Sequence, residues 1–538
     1  MNVKRTYVST VPPVPWRPDA DAAGVVGRAV AVGAWGRYLL QRGSFDEYTF
    51  FSPTTPSPDE WHSVDFARAA VRQAALLDGI KATINVLPTY AMSAVLSSVD
   101  GTIVFHNPGG PDVAEYAFAR SRFSSTMYPI TCVVHTISYP LLVPLQIYNA
   151  VAPLDVCDCL ICPSPTIADA IRAGAARLSE FTGKVPQWQI RCFPHIGIDT
   201  SVMRPRNRRE CRSDLGLPVD AKIILWLGRL SHFDKADLTT LIECFRRIRT
   251  LRPTEDIRLL LAGEDRYAYS TQLLAVAQAA GVADAVLVWP DVNTAARAPV
   301  YCAADVFISP IDSVQETYGI TVLEAMACGI PVVASDWVGY RSHVEHGSTG
   351  FLVPTTWHST GAWRKAMFTH AWMQDHLLAA QSVNVDINAM CHHILTLLDS
   401  PDVSRDMGAA ARRRAATEYD WNVIMKHYES AWDDLQVIAR NRKVPRCSPP
   451  YDIWSDFRGF AATATEGVVR LSAGTSEIPL QTLVDLYPEM AEWLDVERLQ
   501  VLIERGRHCS FALSIDDPAE GPAVAWLLKH GYLEAVRA

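Results

Sequence analysis

The chain has 538 residues, 49% of them apolar and 20% charged, with a formal net charge of −9. That length exceeds one compact domain and points to about three, and at least two. The composition excludes a disordered chain, and the acidic balance argues against a protein built to grip nucleic acid.

The opening Met1-Asn-Val-Lys-Arg-Thr-Tyr-Val-Ser-Thr-Val-Pro-Pro is basic but has no apolar run behind it, so no secretory signal is expected. Strands are predicted at Arg5–Ser9, Thr83–Leu87, Gly101–Phe105, Ile130–His135 and Cys159–Cys162. Helices are predicted between them, as at Gly27–Gln41 and Ser164–Ala173. This is a first α/β domain. From Phe123 to Leu154 there is no Asp, Glu, Lys or Arg, but Pro129, Pro140, Pro144 and Pro153 interrupt the stretch. Its longest proline-free piece falls well short of the ~20 residues of a spanning helix. It reads as a buried strand followed by an apolar loop, compatible with contact at a membrane surface. The spacing of Cys157, Cys159 and Cys162 is not that of a standard zinc site, and the twelve cysteines sit mostly in apolar runs. Buried thiols in a reducing cytoplasm are expected.

Cys192–Pro205, with Pro194, Gly197 and Asp199, reads as a connection between domains. Beyond it, apolar runs alternate with helical segments. The strands are Ile223–Leu227, Ile257–Ala262, Ala285–Val288, Val306–Ser309, Pro331–Ser335 and Gly350–Val353. Helices start near Asp237, Thr271 and Gly319, and one ends at Cys302. Continuous rather than alternating apolar strands mark a parallel sheet covered on both faces, hence a doubly wound α/β domain. Asp420 can cap a helix whose apolar side is Trp421, Ile424, Tyr428, Trp432 and Leu435. A linker with Pro445 and Ser448-Pro-Pro450 follows. The last part reads as helices near Leu480–Leu486 and Val496–Glu504, a strand at Phe511–Ile515 and a Gly-Tyr-Leu ending, which suggests a small winged-helix-like module. From Asn441 on there are 10 Lys or Arg against 14 Asp or Glu, so DNA reading is not expected of it.

The densest chemical signal is Gln315-Glu-Thr-Tyr-Gly-Ile-Thr-Val-Leu-Glu-Ala-Met-Ala-Cys-Gly-Ile-Pro-Val-Val-Ala-Ser335. It is a strand end, a loop and a helix N-terminus. Backbone amides of Gly319, Ile320 and Thr321 lie at the positive end of the helix dipole, where an anion binds. Glu316 and Glu324 can face one crevice beyond the strand ends. Carboxylates that accept from hydroxyls, beside amides that hold phosphate, suit a sugar nucleotide. The second signal is Gly228-Arg229-Leu-Ser-His-Phe-Asp-Lys235, where Arg and Lys can clamp a diphosphate. An exposed basic pair is the plainer reading of that loop taken alone.

Gly228-Arg229-Leu, Lys235, Leu261-Ala-Gly263, Ala304-Asp305-Val-Phe-Ile-Ser-Pro310, Glu316-x7-Glu324 and Gly347-x-x-Gly350-Phe-Leu-Val-Pro354 follow in order. This series resembles the family 4 retaining glycosyltransferases of GT-B fold, over roughly residues 1–440 and most densely from 190 to 355. The resemblance implies two Rossmann-like domains facing a cleft, with 1–200 on the acceptor side and 201–419 binding the nucleotide sugar. A helix at 420–440 would return to the first domain, and 445–538 would be an additional α+β module. It implies that Arg229 and Lys235 hold the diphosphate and stabilise the leaving group. Glu316 would bind sugar hydroxyls, Gly228 and the amides near Gly319, Ile320 and Thr321 would line the donor, and Glu324 would hold the ribose. His135 would stand near the reaction centre, although a histidine on an apolar run, taken alone, is more often a satisfied core residue. His106 would line the acceptor side or serve structure. Gly24, in Gly24-Val-Val-Gly27, could approach the diphosphate.

The pattern departs from the family at Ala236, at Gly263-Glu264-Asp265, and in residues 355–385, which look like an extra segment with Trp357, Trp363 and Trp372. No catalytic metal and no cofactor is expected beyond the nucleotide diphosphate sugar, with UDP or GDP as carrier. Asp19-Ala-Asp21 lies in a proline-rich stretch and does not outrank the cations. The expected partners are that donor and a carbohydrate, lipid-linked or small-molecule acceptor, without nucleic acid. The sequence is compatible with peripheral membrane contact and with a homo-oligomer. The expected reaction is retaining transfer of a hexose. A non-catalytic sugar-nucleotide sensor and a GT-B epimerase or phosphorylase are the alternatives.

Overall fold

The computed structural model describes residues 4–10, 27–52, 67–72, 79–98, 101–138, 142–265, 267–358, 361–367, 372–449, 456, 467–487, 490 and 493–536. Its first sheet is built from β1 (Arg5–Ser9), β2 (Glu47–Ser52), β3 (Thr83–Pro88), β4 (Thr102–Asn107), β5 (Ile130–Val133), β6 (Cys159–Cys162) and β7 (Gln189–Cys192). All pairs are parallel, in the order β3-β2-β1-β4-β5-β6-β7. Side chains alternate between two cores, as the strand period of two requires. Tyr7, Val104, Val133 and Ile161 enter one core, and Val8, Phe105, Cys132 and Leu160 the other. β2 and β7 are not legible in sequence, since each is short and carries polar residues. The uncharged stretch after β5 forms a helix, Leu142–Val151, where a loop was expected. Pro144 is tolerated there because the first turn has no intrahelical amide bond to lose. No described helix is long and apolar enough to cross a membrane.

The second sheet contains β8 (Lys222–Leu227), β9 (Ile257–Gly263), β10 (Val286–Pro290), β11 (Val306–Ser309), β12 (Val332–Ser335) and β13 (Gly350–Val353). It is also parallel, in the order β10-β9-β8-β11-β12-β13, and is followed in the chain by a separate antiparallel pair, β14 (Thr355–Trp357) and β15 (Val383–Val385). Strand order reverses at β1/β4 in the first sheet and at β8/β11 in the second. Such switch points leave a crevice beyond the carboxyl ends of the strands.

A helix at Trp421–Arg440 returns to the first sheet, its amide at Asn422 capped by Asp420 at 2.9 Å. Trp421, Tyr428, Trp432 and Leu435 are buried on its inner side. Trp432 lies 5.8 Å from the Tyr7 ring and donates its indole N–H to Thr131 Oγ1 at 3.1 Å. Arg42 forks onto both oxygens of Glu429 at 2.6 Å.

Residues from 449 on form a second compact unit. It holds β16 (Val468–Ala473), helices Leu480–Val484, Val496–His508 and Gly521–Lys529, β17 (Phe511–Ser514) and β18 (Leu533–Ala535). The strands are antiparallel in the order β17-β16-β18, over a core of Leu471, Leu499, Val524 and Leu527. The expected winged-helix pattern needs a hairpin of two consecutive strands as its wing. Here β17 and β18 flank β16 and are separated by a helix, so among the described residues no such wing is formed.

Removing the Trp432 indole should leave a cavity beneath the returning helix. Trp432→Ala is expected to cost about 3–5 kcal/mol in chemical denaturation. Trp432→Phe keeps most of the packing and should cost less. Equal midpoints for Trp432→Ala and the natural chain would contradict this packing.

Candidate active site

The ends of β8 and β9 approach so closely that one needs glycine. Gly263 has φ +132°, and a Cβ on it would lie 2.1 Å from the Gly228 carbonyl oxygen. The Gly228 amide donates to Ala262 O at 3.0 Å, and the Leu230 amide to Glu264 O at 2.7 Å. These bonds set the loop that carries Arg229 and Lys235. Arg229 pairs with Asp234, with Glu264 at 4.0 Å. Lys235 pairs with Glu316, and the two side chains are 15% and 12% exposed.

Glu316 stands in the loop after β11. Burial pushes its carboxyl up, but the Lys235 ammonium and the Tyr318 amide at 3.2 Å outweigh this and hold it below the usual carboxylate range. Gly319 follows with φ +96°, and a Cβ there would lie 2.0 Å from the Tyr340 ring. Glycine alone lets the chain pass that ring and enter the helix Ile320–Ala327. Ile320 and Thr321 occupy its first turn. Glu324, one turn further, accepts from Tyr301 at 2.8 Å and pairs with Arg297. Arg229, Lys235, Glu316 and the Gly319–Thr321 turn therefore converge at the β8/β11 switch point.

The first domain reaches this place through His135, two residues beyond β5. Its Nε2 donates to Pro108 O at 2.7 Å, and its own carbonyl accepts the Thr317 hydroxyl. His195, in the interdomain connection, packs with its ring tilted at 5.3 Å from the His135 ring and edge-on at 5.0 Å from the Tyr318 ring. Burial and the neighbouring His135 push His195 well down, so it stays neutral. The Tyr318 hydroxyl donates to Ile196 O at 2.6 Å.

His106 takes no part in the acceptor side. It is 0% exposed and packs against Trp35, Tyr428 and Trp432. Its Nδ1 meets Thr131 Oγ1 at 2.8 Å, and burial pushes it down to about 3. The physical reason is that it lies inside β4, paired in register with Thr131 beneath the returning helix. Gly24 and the Asp19-Ala-Asp21 stretch lie outside the described residues. Cys157, Cys159 and Cys162 are buried, and burial pushes their thiols up.

Sequence reading missed the partners. Asp234 on Arg229, Arg297 and Tyr301 on Glu324, and Thr317 on His135 carry no motif of their own. It also missed Asp312, buried in the loop between β11 and Glu316. The Asp237 amide donates to both Asp312 carboxylate oxygens at 3.3 Å. Asp237 stays ionised because Thr239, Gln381 and Tyr269 donate to it. Burial first, and then the Asp237 charge, raise the Asp312 carboxyl to about 7.

Two parallel Rossmann-like sheets, joined through these contacts and spanned by a returning helix, make the GT-B architecture. Residues 221–367 match the family described as glycosyl transferases group 1. Among named relatives, the D-inositol 3-phosphate glycosyltransferase of Mycobacterium tuberculosis (strain H37Rv) is 32% identical over 232 residues. That match covers 42% of this chain and 44% of the relative, so the chain spans less than half of that relative's length. Three solved structures share the fold. Sucrose-phosphate synthase from Thermosynechococcus elongatus gives a TM-score of 0.51 at 18% identity, covering 81% of this chain and 100% of that one. A glycosyltransferase from Rickettsia africae gives 0.53 at 13% identity, covering 81% and 99%. The Anabaena protein HepE, solved with UDP and glucose, gives 0.51 at 15% identity, covering 80% and 100%.

Because Asp312 has a raised value in the folded chain, the stability it contributes is fully present below its ordinary 3.8 and lost as pH rises through about 7. Asp312→Asn keeps the neutral form at every pH. Thermal midpoints of the two proteins should lie close together at pH 4, and the variant should melt higher at pH 8. A difference that does not change between pH 4 and 8 would refute the assignment.

Proposed function

We propose that this protein is a retaining glycosyltransferase that moves a hexose from a nucleotide diphosphate sugar to an acceptor hydroxyl. The observation that carries this reading is the Lys235–Glu316 pair at the switch point, with Arg229 on the same loop and the Gly319–Thr321 turn beside it. A diphosphate needs the cations and the helix N-terminus, and a sugar needs the carboxylate. The group 1 match over residues 221–367 and the complex of the Anabaena protein with UDP and glucose support the class of donor, with UDP or GDP as carrier.

In this reading Arg229 and Lys235 bind the diphosphate and stabilise the charge that develops as the sugar–phosphate bond breaks. Glu316 accepts from hydroxyls of the transferred sugar, and Glu324 from the ribose. The acceptor oxygen attacks the anomeric carbon on the face the diphosphate leaves, and the acceptor proton passes to the departing phosphate oxygen. Retention follows without a covalent sugar–protein intermediate. His135 stands at the first-domain wall of this reaction centre. The buried thiols suit a reducing cytoplasm. The acceptor is a carbohydrate, a lipid-linked molecule or a small molecule that carries a hydroxyl.

A mass-spectrometric screen of UDP-, GDP- and ADP-sugars, followed by proton NMR of the product, tests donor and stereochemistry together. One donor should be consumed with the anomeric configuration kept. Glu316→Ala should lower kcat/KM for that donor by at least about a hundredfold while nucleotide diphosphate binding persists in calorimetry. Normal transfer by Glu316→Ala would overturn the site, and tight donor binding without transfer by the natural chain would favour a sensor.

A further inference from the structure

The segment between β13 and the helix Ile387–Asp399 has no role in the reaction as described. It begins with β14 (Thr355–Trp357), paired antiparallel with β15 (Val383–Val385), and holds a helix at Trp372–Ala380. That helix lies beyond residue 367, where the group 1 match ends. Bonds from His358 N to Ser382 O at 2.8 Å and from Asp386 N to Pro354 O at 3.0 Å close its base. The Trp357 indole donates to Ser382 Oγ at 2.8 Å and its ring lies against Trp337.

Two side chains of this segment bond to two separate loops. His376, 2% exposed, donates from Nε2 to Ser138 O at 3.2 Å. Ser138 is three residues past His135 in the first domain, in a turn held by Thr136 Oγ1 and Ser138 Oγ at 3.1 Å. Gln381, just past the helix, donates from Nε2 to Asp237 Oδ2 at 2.8 Å. Asp237 is two residues past Lys235 in the second domain, and it also receives the Thr239 hydroxyl at 2.6 Å. One short helix thus links the loop after His135 to the loop after Lys235.

We propose that the helix Trp372–Ala380 is a brace across the cleft, and that His376 and Gln381 are positioning residues that fix the separation of the His135 and Lys235 loops. The kinetic part of this rests on the glycosyltransferase reading above, whereas the mechanical part does not. Reacting groups carried by two hinged domains must meet within a fraction of an ångström, and a displacement of about 1 Å can cost a hundredfold in rate. The Thr317–His135 contact fixes one point of the cleft. The His376–Ser138 bond adds a second point, three residues further along the first-domain chain, and restricts rotation about the first.

The test uses the full chain with His376→Ala, His376→Gln, Gln381→Ala and the double alanine variant. Hydrogen–deuterium exchange without ligand reads the brace, and steady-state kinetics with the preferred donor read its consequence. His376→Ala should speed exchange in 135–138, and Gln381→Ala in 235–238. Each should lower kcat by about tenfold or more with a smaller change in donor KM, and Gln381→Ala should do so with little change in thermal midpoint. The double variant should be little worse than the worse single one, since either break releases the brace. His376→Gln, whose amide can reach the same carbonyl, should recover most of the rate. Unchanged exchange in both loops, or unchanged kcat in Gln381→Ala, would overturn the proposal. Gln381 is exposed, so its truncation leaves the fold intact if His376→Ala does not. Altered loop exchange in a protein that transfers no sugar would support the brace and refute the reaction.

Discussion

One hydroxyl joins the first sheet to the last helix of the two-domain unit. Thr131 Oγ1 receives the Trp432 indole N–H at 3.1 Å, lies 2.8 Å from His106 Nδ1, and donates to Phe105 O at 3.3 Å. A hydroxyl has one proton and two lone pairs. With its proton on Phe105, it accepts from both rings, which fixes His106 as the neutral Nδ1–H tautomer. All three groups are buried, so each unmade bond would carry a desolvation penalty of about 1–3 kcal/mol. The returning helix is therefore fixed in register as well as by apolar contact. The same helix places Tyr428 on the His195 carbonyl at 3.0 Å, and its first residue Trp421 against Gly197, where a Cβ would lie 2.6 Å from the indole. The interdomain connection, and through it the Tyr318 loop, is held from that side.

Charge in the crevice follows a second constraint. A net charge of −9 describes the whole chain and hides the local pairs. Arg229 stands with Asp234, Lys235 with Glu316, and Arg297 with Glu324, each pair mostly buried. A lone buried charge costs several kcal/mol, and pairing offsets much of this. Pairing also keeps the cations aimed. Lys235 is held against Glu316 instead of turning out to solvent. Asp312 marks where pairing stops: among the described residues no cation pairs with it, Asp237 is ionised next to it, and the carboxyl keeps its proton to about 7.

What the sequence made legible was whatever burial imposes over a continuous run. The strands of the second sheet are covered on both faces, so β8, β9, β11, β12 and β13 stand out as apolar runs within a residue or two of their bounds. The edge strand β7, Gln-Ile-Arg-Cys, half faces water and carries no such mark. The two histidines teach the same lesson about position. His106 and His135 both end apolar runs, but His106 lies within the ladder and pairs with Thr131, whereas His135 lies two residues past the last residue of β5. Strand length, which a propensity pattern leaves open by a residue or two, separates a core histidine from one at the cleft. The partners Arg297 and Thr317 are fixed by folding across 27 and 182 residues, and no local pattern encodes them.

Contacts between the two domains divide by strength. At the hinge side, Trp421, Tyr428 and Trp432 bury large aromatic surfaces that water cannot replace. On the cleft side the crossings among the described residues include single hydrogen bonds to backbone carbonyls, Thr317 on His135 and His376 on Ser138. Each is worth about 0.5–1.5 kcal/mol net, because water or a ligand hydroxyl can take the same carbonyl. Two such bonds hold the cleft by about 1–3 kcal/mol, an amount the binding of one multiply hydroxylated ligand can exchange. The aromatic side thus acts as a fixed axis and the carbonyl side as an edge that ligand can displace. Under the proposed transfer reaction that asymmetry lets substrate enter and product leave between walls that also meet closely enough to react.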